Sequence, residues 1–142
     1  MPSTPPGTST SPLEILVVDD ELEVREGISE LLTERGHHVR TVGSAREAMI
    51  SLRTDKVDLV IMDVCMPRMD GVELAAMIRM AHPFVELVLM SGGCPETSRT
   101  AARKLRIGEI VNKPFRMSAI EPTLERMTAR MASTGKISIP PY

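Results

Sequence analysis

The chain has 142 residues, with 17 Lys plus Arg against 19 Asp plus Glu and a formal charge of −2 at pH 7. That length suits one domain, and the charge balance excludes nucleic-acid binding through bulk positive potential. Aromatic residues make up only 2% and Trp is absent, so base stacking has no platform, and aliphatic side chains with 11 Met must fill the core.

No stretch reaches the roughly 20 apolar residues of a bilayer span. The N-terminal MPSTPPGTSTSP lacks the basic and apolar parts of a secretory signal. The expectation is a cytoplasmic protein with no membrane and no direct nucleic-acid partner. Cys65 and Cys94 are too few for a disulfide framework or a four-ligand zinc site and read as reduced thiols.

Residues 1–12 are almost all Pro, Ser, Thr and Gly and read as a flexible tail, because they bury too little apolar surface to offset ordering. Leu13–Val18 is a short apolar run ending at Asp19-Asp20, which suits a strand buried on both faces. Val24, Ile28, Leu31 and Leu32 then recur at helical spacing behind an acidic first turn, with Gly36 as a C-terminal cap. His38–Val42 is a second strand. Ser44 followed by Glu47 is a capping-box pattern that opens a second helix.

Val57–Met62 forms a third strand and ends at Asp63. The loop CMPRMDG (65–71) leads into a helix from Val72 to Ala81, with Pro83 beyond its end. Val85–Met90 is the fourth strand and runs into Ser91-Gly92-Gly93. Residues 96–105 read as the fourth helix and Glu109–Asn112 as the fifth strand, ending at Lys113-Pro114. Ser118 is expected to cap a last helix through Met131, with Pro122 near its first turn. Residues 132–142 are expected to form a second tail, with 13–131 as the domain and no output domain expected after it. Five strand–helix alternations with short connections predict an α/β domain, a parallel sheet with helices on both faces.

Polar groups gather at one structural place. Asp19, Asp20, Asp63, Ser91 and Lys113 all follow strands, and open parallel sheets bind ligands outside the carboxyl ends of their strands. Three converging carboxylates repel unless a cation intervenes, and Mg²⁺ takes oxygen ligands while keeping several waters. Lys113 adds a fixed positive charge and Ser91 a hydroxyl donor, while Gly92-Gly93 leave the backbone open to an anion. Such a set is a phosphoryl site, in which a carboxylate can attack phosphorus and form an acyl phosphate.

The motifs ILVVDDE (15–21), DLVIMDVCMPRMDG (58–71), LVLMSGG (87–93) and NKPF (112–115) resemble the receiver domain of two-component response regulators. The resemblance implies a flavodoxin-like, doubly wound (βα)5 fold with strand order 2-1-3-4-5. It implies that Asp63 is the phospho-acceptor and that Asp20 is a direct Mg²⁺ ligand, with Asp19 in the same pocket through a water. Cys65 would lend its backbone carbonyl to the metal. Ser91 would be the switch hydroxyl and Lys113 the phosphoryl-binding cation, with Pro114 holding the following turn through a cis bond. The implied partners are a histidine kinase or histidine phosphotransfer protein as donor. A downstream protein would read the face of the fourth helix, fifth strand and fifth helix, with a monomer or phosphorylation-dependent dimer as the acting form. The implied role is a single-domain phospho-acceptor with slow autodephosphorylation, not an enzyme.

Two departures concern the relay. Ile110 stands where the family often has an aromatic, three positions before the lysine, and Arg106-Ile107 replaces the usual Gly-Ala pair. Three other readings stand beside the receiver. A haloacid-dehalogenase-type phosphohydrolase also uses a strand-end Asp and Mg²⁺, but Cys65 occupies the place of its general acid. A flavodoxin-like electron carrier needs a hydroxyl-rich loop after strand 1 and flanking aromatics. A non-phosphorylated receiver-like scaffold is favoured by Ile110 and opposed by the intact acidic set. The Met residues read as core filling, His37-His38 as packing or solvent residues, and Arg99, Arg103, Lys104 and Arg106 as a solvated face or a docking surface.

Overall fold

A computed structural model describes residues 11–66, 69–92, 100, 103–104, 109–114 and 116–134. Its elements in chain order are β1 (Glu14–Val18), α1 (Leu22–Glu34), β2 (His38–Val42), α2 (Ala45–Thr54), β3 (Leu59–Asp63), β4 (Cys65–Met66) and β5 (Met69–Asp70). There follow α3 (Gly71–Ala81), β6 (Glu86–Ser91), β7 (Glu109–Asn112) and α4 (Met117–Thr134). Five strands pair in parallel in the order β2-β1-β3-β6-β7, which is the expected 2-1-3-4-5 arrangement. Thr100, Arg103 and Lys104 are helical, and the rest of the expected 96–105 helix lies outside the described residues.

The apolar runs become the inner strands because both of their faces are covered. Leu16, Val18, Val60, Met62, Leu87 and Leu89 pack with Ala48 and Leu52 of α2 and Leu74, Ala75 and Ile78 of α3. On the other face Ile15, Val17, Leu59, Ile61, Val88 and Met90 pack with Ile28 and Leu32 of α1 and Ile120, Leu124 and Met127 of α4. The period-2 alternation of strand side chains thus feeds two separate cores. β2 is an edge strand, and its residues are only partly covered.

Local signals acted much as chemistry dictates. Gly36 takes φ 95°, the left-handed conformation that ends α1 cheaply without a Cβ. Ser44 Oγ accepts from the Glu47 N–H at 3.2 Å, while the Glu47 carboxylate reaches back one residue beyond the cap, to the Gly43 N–H at 2.9 Å. His37 is buried and its Nδ1 accepts from the Leu13 N–H at 3.0 Å, while exposed His38 meets Glu14. Both histidines are packing or surface residues, as expected.

Some expectations need correction. Leu31 is 38% exposed, so the buried stripe of α1 is narrower than its apolar pattern. β3 begins at Leu59 rather than Val57 and continues through Asp63, and β6 likewise continues through Ser91. The loop after Asp63 contains the antiparallel pair β4–β5, in register Cys65↔Asp70 and Met66↔Met69, and α3 starts at Gly71 rather than Val72. Two-residue strands are too short to leave a period in a sequence. α4 starts at Met117, so Ser118 lies inside its first turn instead of capping it, and Pro122 is its sixth residue. Met62, Met90 and Met127 are core residues, but Met77 and Met80 are exposed on α3. Ile110 is half-buried against the core on the α2–α3 side. Cys94, Arg99, and Arg106-Ile107 lie outside the described residues.

Candidate functional site

Register brings the site together. Val18 pairs with Met62, Asp63 with Met90, and Ser91 with Asn112, so the carboxyl ends of β1, β3, β6 and β7 are level. The chain leaves β1 toward β2 on one side, then crosses back over β1 to β3. Asp19-Asp20 and Asp63 flank that reversal, where α/β sheets open a crevice.

Asp19 is fully buried, Asp63 is 5% exposed and Asp20 faces solvent. One carboxylate oxygen from each lies within 4.8 Å of the others. Lys113 enters from the end of β7, and its Nζ donates to Asp63 Oδ2 at 2.7 Å and to Asp19 Oδ2 at 3.1 Å. Glu21 Oε1 lies 3.5 Å from the same nitrogen. Burial works against the ammonium, but the hydrogen bonds it donates to Asp63 and Asp19 and their charge outweigh it, so the Lys113 pKa is pushed above its ordinary value. Lys113 is therefore a fixed cation across the whole range in which proteins work.

Asp19 is held at every polar group. Its N–H donates to the Val42 carbonyl at 3.2 Å, and its own carbonyl accepts from Arg25 Nη1 at 2.8 Å. Its Oδ1 accepts from the Glu21 N–H at 2.9 Å and its Oδ2 from Lys113. Ser91 is 3% exposed at the end of β6, the strand beside β3, and its carbonyl accepts from the Lys113 N–H at 3.0 Å. A Cβ on Gly92 would lie 2.7 Å from Lys113 Cβ, so the glycine makes room for the lysine stem. The Lys113–Pro114 bond is cis, as the resemblance implies. Cys65 opens β4, two residues beyond Asp63.

The structure thus brings Asp19, Asp20, Asp63 and Lys113 into one cluster, with Ser91 on the neighbouring strand end. An all-oxygen donor set with two buried carboxylates and one open to water fits a hard divalent cation such as Mg²⁺. One residue at this cluster goes unremarked in the sequence, Arg25. A charged residue on a surface helix carries no sign in one sequence that it reaches back to a strand end.

A family model for the response regulator receiver domain matches residues 15–125. The chain belongs to the response regulator receiver family. Response regulator MprA of Mycolicibacterium vanbaalenii is 32% identical over 123 residues, which cover 87% of this chain and 52% of that protein. The chain spans about half the length of the curated relatives it matches. Among solved structures, a receiver domain protein from Clostridium thermocellum is similar at TM-score 0.75 and 25% identity, over 85% of this chain and 98% of that one. Chemotaxis protein CheY4 of Vibrio cholerae is similar at TM-score 0.73 and 26% identity, over 82% and 98% of the two chains. A receiver with this acidic crevice is consistent with phosphoryl acceptance. Among the described residues, no helix is long and apolar enough to cross a membrane.

Proposed function

We propose that residues 13–131 act as a receiver unit that takes a phosphoryl group on Asp63 from a histidine kinase or a histidine phosphotransfer protein. One observation carries this reading: a nearly buried carboxylate at a strand end, 2.7 Å from a fixed ammonium, with two more carboxylates within 4.8 Å. A carboxylate oxygen of Asp63 attacks phosphorus in line as the phosphohistidine P–N bond breaks. The imidazole leaves with the electron pair, and the product is an acyl phosphate. Asp20, Asp63 and the Cys65 carbonyl, with Asp19 beside them, would hold Mg²⁺, which when bound would supply positive charge against the transferred group.

Phosphorylation adds about −1.5 to −2 of charge in a small space. In response Lys113 exchanges carboxylate oxygens for a phosphoryl oxygen, and the Ser91 hydroxyl turns to donate to another. Moving a two-state equilibrium from 1:99 to 99:1 takes about 5.5 kcal/mol of differential interaction. A few charge-assisted hydrogen bonds, each about 1.5–3 kcal/mol, supply it. The change passes to a face that includes β7 and α4, where a downstream protein or a second copy docks. Ile110 stands where the family often has an aromatic, so the relay does not use an aromatic rotamer. The phosphorylated unit would also lose its phosphate slowly to water. The reading also takes the protein to be cytoplasmic.

The test is chemical. Incubation with a small phosphoramidate and Mg²⁺ is expected to label the protein with phosphate that neutral hydroxylamine removes, as it does from acyl phosphates. Label that survives hydroxylamine would place the phosphate on a hydroxyl or nitrogen and overturn Asp63 as acceptor.

A further inference from the structure

Arg25 projects from α1 back to the end of β1, and its Nη1 donates to the carbonyl of Asp19 at 2.8 Å. It is the only side chain among the described residues that holds the main chain of this acidic turn from the helix side. On the far side of the guanidinium lies Gly43, at the end of β2. A Cβ there would sit 3.0 Å from Nη1, 3.3 Å from Cζ and 3.4 Å from Nη2. That is tight contact with three atoms of the guanidinium, which the missing side chain leaves room for. Gly43 does not need its glycine for a positive φ. The β2–α2 turn that carries it is braced, because its N–H donates to Glu47 Oε1 at 2.9 Å. The guanidinium is thus wedged between two strand ends, with a hydrogen bond on one side and a glycine wall on the other.

We infer that Arg25 is a positioning residue for the cation site: by fixing the Asp19 carbonyl it fixes where the Asp19 and Asp20 carboxylates stand relative to Asp63. The inference rests on the receiver reading above and deepens it. The geometry has a consequence of definite sign. A cation beside an acidic pocket repels Mg²⁺, so by Coulomb's law alone its removal tightens metal binding. A clamp does the opposite. Without Arg25 the Asp19 carbonyl loses this partner, and the turn is left to the bonds with Val42, Glu21 and Lys113, so the three carboxylates are held together less firmly. Groups that orient metal ligands without touching the metal are worth about 10–100-fold in affinity.

The experiment is Mg²⁺ titration by calorimetry on the full chain, comparing wild type with Arg25→Met, Arg25→Lys and Gly43→Ala. Arg25→Met keeps the apolar stem and loses both charge and donors. The expected result is about tenfold weaker Mg²⁺ binding in Arg25→Met. Arg25→Lys, which retains a charged donor, is expected to recover part of the loss. Gly43→Ala, which presses on the guanidinium, should shift binding the same way by less. In metal-free protein, the Glu21 amide, which donates to Asp19 Oδ1, is expected to exchange faster in Arg25→Met. Phosphorylation by acetyl phosphate should need more Mg²⁺ for half-maximal rate yet approach the wild-type rate at saturation. Unchanged or tighter Mg²⁺ binding in a folded Arg25→Met overturns the clamp while leaving the receiver reading intact. If Arg25→Met does not fold, Gly43→Ala decides alone, and unchanged binding there overturns the clamp. Wild-type protein that binds no Mg²⁺ overturns both.

Discussion

Lys113 Nζ lies 2.7 Å from Asp63 Oδ2 and 3.1 Å from Asp19 Oδ2, so one ammonium serves two buried carboxylates. This pairing lets the crevice stay folded with its negative charges gathered, and it leaves the lysine beside the atom on which phosphate is proposed to arrive.

Removing the ammonium should therefore cost stability in a metal-dependent way. Lys113→Met leaves two buried carboxylates without their cation, a change worth about 3–5 kcal/mol when no other charge compensates. Urea unfolding in EDTA is expected to show that loss. Saturating Mg²⁺ should restore more stability to Lys113→Met than it adds to wild type, because the ion replaces the missing charge. Equal increments in the two proteins would mean that lysine and metal do not share the site.

Gly92→Ala is expected to damage the site without unfolding the domain. The new methyl would lie 2.7 Å from Lys113 Cβ, an atom fixed close to the main chain, so the lysine stem must shift. Misplacing a reacting group by a fraction of an ångström to one ångström costs about tenfold or more in rate. The measurement is the initial rate of phosphorylation at saturating Mg²⁺, with circular dichroism as the control for folding.

His37 makes the domain acid-sensitive. Its Nδ1 must be unprotonated to accept from the Leu13 N–H, and burial first, then His38 and Arg35, hold its pKa below the ordinary 6.5. Below pH 6.5 the unfolded chain takes up a proton that the native ring resists, so stability falls as pH drops toward the native pKa and is fully present above 6.5. His37→Asn places an acceptor oxygen near the same N–H without a titrating group. Urea midpoints at pH 7.5 and 5.5 should differ more for wild type than for His37→Asn.

Gly71→Ala should be among the more damaging glycine changes. A Cβ there would overlap the Val64 main chain, with its Cα 2.6 Å away, and Gly71 N–H donates to the Val64 carbonyl at 3.0 Å. Main chain cannot swing aside as a side chain does. Overpacking typically costs about 1–3 kcal/mol, and a backbone clash stands at the upper end. Thermal unfolding checks it.

The sheet was legible because inner parallel strands, covered on both faces, are written as apolar runs such as Leu59–Met62 and Leu87–Met90. The acidic cluster was legible because those runs end in polar residues, and level strand ends bring them together. What escaped followed from backbone rather than side-chain pattern. Asp63 and Ser91 are polar, so the apolar runs stop one residue before the ladders do. Gly92 suggested an open backbone for an anion, whereas the structure shows room for Lys113. The wedge of Arg25 against Gly43 joins residues far apart in sequence, and neither carries a mark of the other.

The central claim is that Asp63 accepts phosphate. Intact-protein mass spectrometry after incubation with acetyl phosphate and Mg²⁺, beside an Asp63→Asn control, tests it most directly. The account expects one added phosphoryl mass in wild type, absent with EDTA and absent from Asp63→Asn. An adduct of the same size on Asp63→Asn would contradict it.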